Sequence, residues 1–296
     1  MLGRDEIQFY RDNGYIVVPE VLSPAEVARL RQTTDALVEA SAAVTAHTAL
    51  YDLEDAHSAE RPMVRRLKTP HKFHPAYAEV VRHPGIVEAL KPLIGPDIRF
   101  DNSKLNLKAA GGGAPVDWHQ DWAFYPHTND DLCAVGIMLD DVDMENGPLL
   151  VVPGSHRGPT YDHHSDGYFA GAVNDPAADA VYGQAVALTG KAGSISIHHV
   201  RLLHGSRPNL SGRHRRLLLL QFRAADAWPL MGPPAWDAFN EMLVTGAPSV
   251  VPRIVPAPVR MPVPPARHEG SIYENQRGSR AAILGHPQAK TPVAAE

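Results

Sequence analysis

Cysteine is almost missing: Cys133 stands alone among 296 residues, which excludes an internal disulfide and a zinc site built on thiolates. No apolar run approaches the roughly 18 residues that cross a bilayer as a helix. RRLLLLQF, at 215–222, is only strand-length. The amino end lacks a basic stretch joined to an apolar one and a cleavage site, so the expected location is the cytoplasm. Like charges do not cluster either. Lys and Arg number 28 against 33 Asp and Glu, a net −5, and no polybasic arm is offered to nucleic acid or to a membrane surface. With both partners excluded, a small molecule remains; oligomeric state is not readable from these quantities.

What is present is apolar content of 44%, enough for a sizeable core, together with 27 Pro and 16 His. Arg4 to Asn13 reads as a helix closed by Gly14, followed by a short β-rich run, YIVVPEVL. A second helix is signposted by Ser23 as N-cap, Pro24 at its first position and Glu26 completing a capping box, with Val27, Leu30, Leu37 and Val38 along one stripe. Residues 45 to 75 read as loop. Another helical stretch is expected from Pro75 to Leu93, interrupted at HPG, 83–85.

From Ile98 the texture becomes β. Short apolar runs such as CAVGIMLDDV, SISIHHV and RRLLLLQFRAA are punctuated by GGGAP, DMENGP and RPNLSGRH. Seven or eight short strands predict a sandwich or jelly roll rather than a βαβ fold. The expected organisation is one domain over 1–296: a mostly helical part to 97, a β core over 98–230, and a Pro-rich segment from 231. In that segment seven prolines fall within residues 248–265, so it is extended, packed on the body or serving as a lid, or else disordered.

The chemistry centres on VDWHQDWAFY. Residues two apart on a strand project from one face, so His119 and Asp121 offer an imidazole and a carboxylate to one point. A non-haem Fe(II) oxygenase needs a second imidazole on the same octahedral face. His198, His199 and His204 are the downstream candidates. Of these, His204 alone sits in LLHGSRPNLSGRHRR, where a turn and loop lead into a strand opening with arginine; Arg215 follows it by eleven residues. Period-2 alternation puts Arg213, Arg215, Leu217, Leu219 and Gln221 on one face of that strand and Arg216, Leu218, Leu220 and Phe222 on the other. A guanidinium aimed into a barrel suits a bidentate hold on a small dicarboxylate.

The runs LNLKAAGGGAPVDWHQDWAFYPHTNDD, MLDDVDMENGPLLVVPGSHRG and HGSRPNLSGRHRR resemble the phytanoyl-CoA dioxygenase family of Fe(II)/2-oxoglutarate oxygenases, ectoine hydroxylases included, over residues 7 to 228. The resemblance implies a mainly β fold with flanking helices and a double-stranded β-helix core (a cupin-like jelly roll), with Fe(II) held by His119, Asp121 and His204. It further implies 2-oxoglutarate and O₂ as cosubstrates, with Arg215 on the distal carboxylate and Asn106 and Ser206 as further cosubstrate contacts. The activity implied is that of an oxidoreductase, a dioxygenase that hydroxylates an unactivated C–H bond and releases succinate and CO₂. Related halogenases carry a small residue where Asp121 stands, so its presence points to hydroxylation or another oxidation.

The substrate is expected to be a small or medium polar metabolite. Tyr125 and His127, on the stretch after the His-x-Asp pair, are expected pocket residues, as is the stretch YDHHSDGYFAGAV with His163, His164, Asp166 and Tyr168. Arg267, Arg277 and Arg280 are candidates to cover the mouth and meet an anionic group. His156, Trp118, Trp122 and Phe124 read as structural. Two rival readings stand beside the oxygenase: a non-catalytic or differently metallated cupin-like barrel, and an interaction module whose Pro-rich stretch docks a partner.

Overall fold

The computed structural model describes residues 2–233, 235–280 and 283–284. The expected single domain to 296 therefore extends outside the described residues at its carboxyl end.

The amino-terminal helices form where their caps predict. Helix α1 (Arg4–Asn13) ends on Gly14 in the left-handed region, and β1 (Tyr15–Val18) follows. Helix α2 (Pro24–Ala40) begins with the Ser23 side chain accepting from the Glu26 N–H while Glu26 reaches back. The interruption at HPG is a full break between α3 (Pro75–Val80) and α4 (Pro84–Ile94).

One expectation fails. The stretch 45–75 is not loop: it holds β2 (Tyr51–Leu53) and β3 (Val64–Lys68). In VRRLK, Arg65 and Arg66 are buried along with Val64 and Leu67, so no apolar/polar alternation marks the strand. The part before residue 97 thus adds three strands to the β core as well as its helices.

The remaining elements are β4 (Ile98–Lys108), β5 (Val116–His119), β6 (Leu132–Met138), β7 (Leu149–Val151), β8 (His164–Ser165), β9 (Tyr168–Phe169) and β10 (Val186–Leu188). They are followed by β11 (Ile195–His199), β12 (His204–Ser206), β13 (Arg215–Ala224), α5 (Trp236–Glu241), β14 (Leu243–Thr245) and α6 (Ile272–Gln276). A major sheet runs β1-β11-β6-β13-β4-β3-β2, with β14 also on β4, and a minor sheet runs β10-β7-β12-β5. Every pairing in both is antiparallel. This is the jelly-roll arrangement.

Alternation on β13 sorts its residues between two environments. Leu218, Leu220 and Phe222 join Val135, Ile137, Ile195 and Ile197 in the main core, beneath α2, α3 and α4. Each fully buried leucine there stabilises the fold by about 1.5–3 kcal/mol. Arg215, Leu217 and Leu219 face the other way, into a cavity between the sheets.

The Pro-rich segment packs on the body. Its Val255 N–H donates to Thr128 O at 2.9 Å, its Pro258 carbonyl accepts from Trp122 Nε1 at 2.9 Å, and its Pro264 carbonyl accepts from Phe169 N at 2.9 Å. Prolines retain carbonyl acceptors although they lack a donor, which suits a strap that receives hydrogen bonds.

Candidate active site

Two short strands of the minor sheet bring the histidines together. Strands β5 and β12 are neighbours with His119 opposite His204 in register, and the rings lie 4.0 Å apart between centroids. Asp121 joins them by another route than expected: β5 ends at His119, and Asp121 opens a 3₁₀ turn over Asp121–Ala123. The turn swings the carboxylate back, leaving its Oδ1 3.9 Å from His119 Nε2. One ligand atom from each of the three side chains lies within 4.8 Å of the others, and all three residues are buried.

The imidazoles are locked as neutral donors of one lone pair. His119 Nδ1 lies 2.8 Å from the carbonyl of Asp117, and His204 Nδ1 lies 2.8 Å from that of Leu202. A carbonyl only accepts, so each Nδ1 carries the proton and each Nε2 is left free for a metal. Burial pushes His119 down to about 3 and His204 well below 6.5, the latter helped by His119 and His198. For Asp121 burial acts upward, but Lys104, His198 and the two triad histidines outweigh it and hold the carboxyl well below its usual range. Two neutral imidazoles and an ionised carboxylate on one face are the donor set that suits Fe(II).

His198 stands beside the triad without joining it. Its Nε2 is 3.7 Å from the second Asp121 oxygen, and neither ring nitrogen has a hydrogen-bond partner among the described residues. His199 points to the other side, where its Nδ1 accepts from Arg201 N at 3.1 Å.

The major sheet supplies the far wall. Arg215 is 2% exposed; its Nε and Nη2 donate to the Gly147 carbonyl at 3.2 and 2.8 Å, and Nη1 has no partner among the described residues. Burial brings its pKa down to about 10. A buried ion without a counter-charge costs several kcal/mol, so this guanidinium is built to receive an acid. Asn106 and Ser206 line the same cavity, Asn106 accepting from Arg66 Nε at 2.9 Å. Of the competing arginines, Arg213 pairs with Asp143 at 2.5 Å on the surface, and Arg216 faces outward onto Asp140 and Asp35.

Tyr125 lies close to the site. Its hydroxyl accepts from Gln221 Nε2, and burial, then Asp121, push its pKa well above 10. His127 is not brought to the cavity: its Nδ1 meets the Tyr125 carbonyl at 2.8 Å and its Nε2 meets Arg223 Nη1 at 2.6 Å. The three candidate mouth arginines are also engaged elsewhere. Arg267 stacks on Tyr168, Arg277 pairs with Asp55 and Glu274, and Arg280 pairs with Asp166. His163 is scaffold, its Nε2 accepting from Gln120 N at 2.9 Å.

Sequence reasoning missed Arg66, Lys104 and Ile272, all of which line the cavity. Lys104 Nζ is 3.7 Å from Asp121 Oδ1. Ile272 arrives on α6, which Gln276 fastens to β5 through hydrogen bonds with both the N–H and the carbonyl of Asp117. The signal that was available for Lys104 is period 2 along β4 from Asn106; Arg66 had none, and only the register, with Arg66 opposite Asn106, Asn106 opposite Leu217 and Lys104 opposite Leu219, brings it in. A separate cavity of about 580 Å³ lies between α2 and the end of β4 and holds none of the triad.

The chain is similar to known proteins over most of its length. The family model described as Phytanoyl-CoA dioxygenase (PhyH) matches residues 10–217. A protein of Stutzerimonas stutzeri named as a probable alpha-ketoglutarate-dependent hypophosphite dioxygenase is 39% identical over 90% of this chain and 95% of its own length. L-proline trans-4-hydroxylase of Streptomyces griseoviridis is 32% identical over 76% of this chain and 87% of its own. In structure, iron-bound EctD from S. alaskensis superposes with a TM-score of 0.65 at 24% identity, covering 76% of this chain and 77% of that one, which supports the fold. The relatives do not favour a non-catalytic barrel, and among the described residues no helix is long and apolar enough to cross a membrane. The chain belongs to the phytanoyl-CoA dioxygenase (PhyH) family and is an iron- and 2-oxoglutarate-dependent dioxygenase.

Proposed function

We propose that the chain, as one oxygenase unit, hydroxylates a small polar substrate, with His119, Asp121 and His204 as the Fe(II) ligands and Arg215 as the partner of the distal carboxylate of 2-oxoglutarate. The observation that carries this reading is the coincidence of two demands in one cavity: three metal donors with free ligand atoms, and a buried guanidinium with an unused N–H. Asn106 and Ser206 lie where they would flank the cosubstrate. Fe(II) held by these residues would supply the oxidising chemistry, with 2-oxoglutarate and O₂ consumed and succinate, CO₂ and the hydroxylated product formed.

The protein's own share is placement and exclusion. Carbonyls of Asp117 and Leu202 fix the imidazole tautomers, His198 and Lys104 face the two oxygens of Asp121, and Ile272 helps close the cavity against water. Tyr125 is read as a substrate wall, and its interaction with Asp121 supports that reading. The relatives named for hypophosphite and L-proline share small size and polarity, and that coarse property supports the substrate class.

The test is an anaerobic titration with Fe(II) and 2-oxoglutarate, watching the weak visible charge-transfer band. The wild type is expected to show the band and His119→Ala to lack it. A folded wild type that binds no iron, or that shows the same band after the substitution, would overturn the ligand assignment.

A further inference from the structure

The cavity holds more positive charge than its established cosubstrate can use. Arg66, Lys104 and Arg215 line it, and Asp121 is the one carboxylate among the lining residues. If iron and 2-oxoglutarate bind as proposed above, the dianion cancels the metal's two charges, and Arg215 takes its distal carboxylate. Arg66 and Lys104 remain, against Asp121 and with the charge of Arg215 already committed. A loaded site of this kind keeps a net positive charge in a buried space, where an uncompensated charge is expensive.

The two side chains are also held as receivers. Arg66 is 7% exposed; its Nε is spent on Asn106, its guanidinium carbon sits 5.0 Å from the Tyr273 ring centroid, and its terminal nitrogens make no hydrogen bond among the described residues. No carboxylate pairs with it there. Lys104 Nζ approaches Asp121 Oδ1 only to 3.7 Å, beyond hydrogen-bonding length, so its three N–H groups are not consumed by that contact. Being next to a triad carboxylate, Lys104 stands where a substrate must come to be oxidised.

We infer that Lys104, with Arg66 beside it, forms a second anion subsite, and that the substrate of this enzyme is a compact oxyanion rather than a zwitterion or a neutral metabolite. A zwitterion brings no net charge to offset the surplus, whereas a small carboxylate or phosphorus oxyanion does. The inference rests on the oxygenase reading for its charge balance, and the reaction balances as before: one oxygen atom of O₂ enters an X–H bond of the anion, the other enters succinate, and CO₂ leaves.

The test separates the two ideas because it needs no metal. Thermal melting of the metal-free full chain is followed with 2-oxoglutarate at saturation, so that Arg215 is occupied, while hypophosphite is titrated as the probe; sodium chloride is the ionic-strength control and L-proline the zwitterion. The wild type is expected to gain melting temperature with hypophosphite and not with the controls. Lys104→Gln and Arg66→Gln, whose own melts report their folding, should weaken that response at least tenfold in probe concentration, with the 2-oxoglutarate midpoint of Lys104→Gln, which leaves the Arg66–Asn106 contact intact, within twofold of wild type. An equal response to L-proline, or variants whose 2-oxoglutarate midpoint shifts while the hypophosphite response survives, would overturn the subsite and give these cations to the cosubstrate. No response of the wild type to hypophosphite overturns it as well. The charge-transfer titration above judges the oxygenase reading on its own.

Discussion

Arg215 and Gly147 are bound more tightly to one another than their 68-residue separation implies: two guanidinium nitrogens converge on the single Gly147 carbonyl. Gly147 adopts φ +74°, and a Cβ there would meet the Arg207 carbonyl at 2.6 Å. Gly147→Ala should therefore cost about 1–3 kcal/mol of stability and also turn the carbonyl away from Arg215. Denaturant titration and the 2-oxoglutarate half-saturation should both change, the latter by tenfold or more; a change in stability alone would mean the carbonyl does not aim the guanidinium.

Arg215→Met separates function from stability. Losing a bidentate charge-assisted partner should raise the 2-oxoglutarate half-saturation by roughly 10- to 100-fold. The melting temperature, however, should hold or rise, since a buried cation without a counter-charge is exchanged for an apolar side chain of similar length. A large fall in melting temperature would show that the Gly147 contact outweighs the burial penalty.

Acid should unfold the protein early. Burial holds His127 and His163 down to about 4 in the folded state, against roughly 6.5 when unfolded. Between those values the unfolded chain binds protons that the folded chain does not, so stability is full above 6.5 and falls as pH drops toward 4. Each histidine contributes up to about 1.4 kcal/mol per pH unit in that window. Urea midpoints measured from pH 7 to 4.5 should decline steadily; a flat profile would mean that these rings are protonated in the fold.

Gln276 fastens α6 over the cavity through Asp117 and through the Gly171 carbonyl at 2.9 Å. Gln276→Ala should accelerate hydrogen exchange across 272–276 and raise 2-oxoglutarate consumption in the absence of added substrate, because Ile272 no longer closes the site. Unchanged exchange would place the closure elsewhere on the segment.

The sequence made the candidate metal ligands legible and the charge around them illegible, for physical reasons. His119 and His204 lie in strongly patterned stretches, and Arg215 follows from alternation on a strand whose two faces meet different surroundings. Asp121 was expected on a strand and stands in a turn, since period 2 gives the same spacing that a 3₁₀ turn can deliver by bending back. Arg66 was hidden because VRRLK looks like exposed loop until β4 and Tyr273 cover it. Spacing alone left His198 and His199 open; the register of β5 with β12 sets His204 opposite His119 and so supports it.

The two sheets divide the labour. Both histidines proposed as iron ligands sit on short strands of the minor sheet, while Arg66, Lys104, Asn106 and Arg215 hang from strands of the major one. Oxidative power and chemical taste are therefore carried by separate walls, and a lineage can retune what it attacks by altering β3 and β4 without touching the machinery that attacks. Relatives named for hypophosphite, L-proline and ectoine are the kind of spread such an inheritance allows.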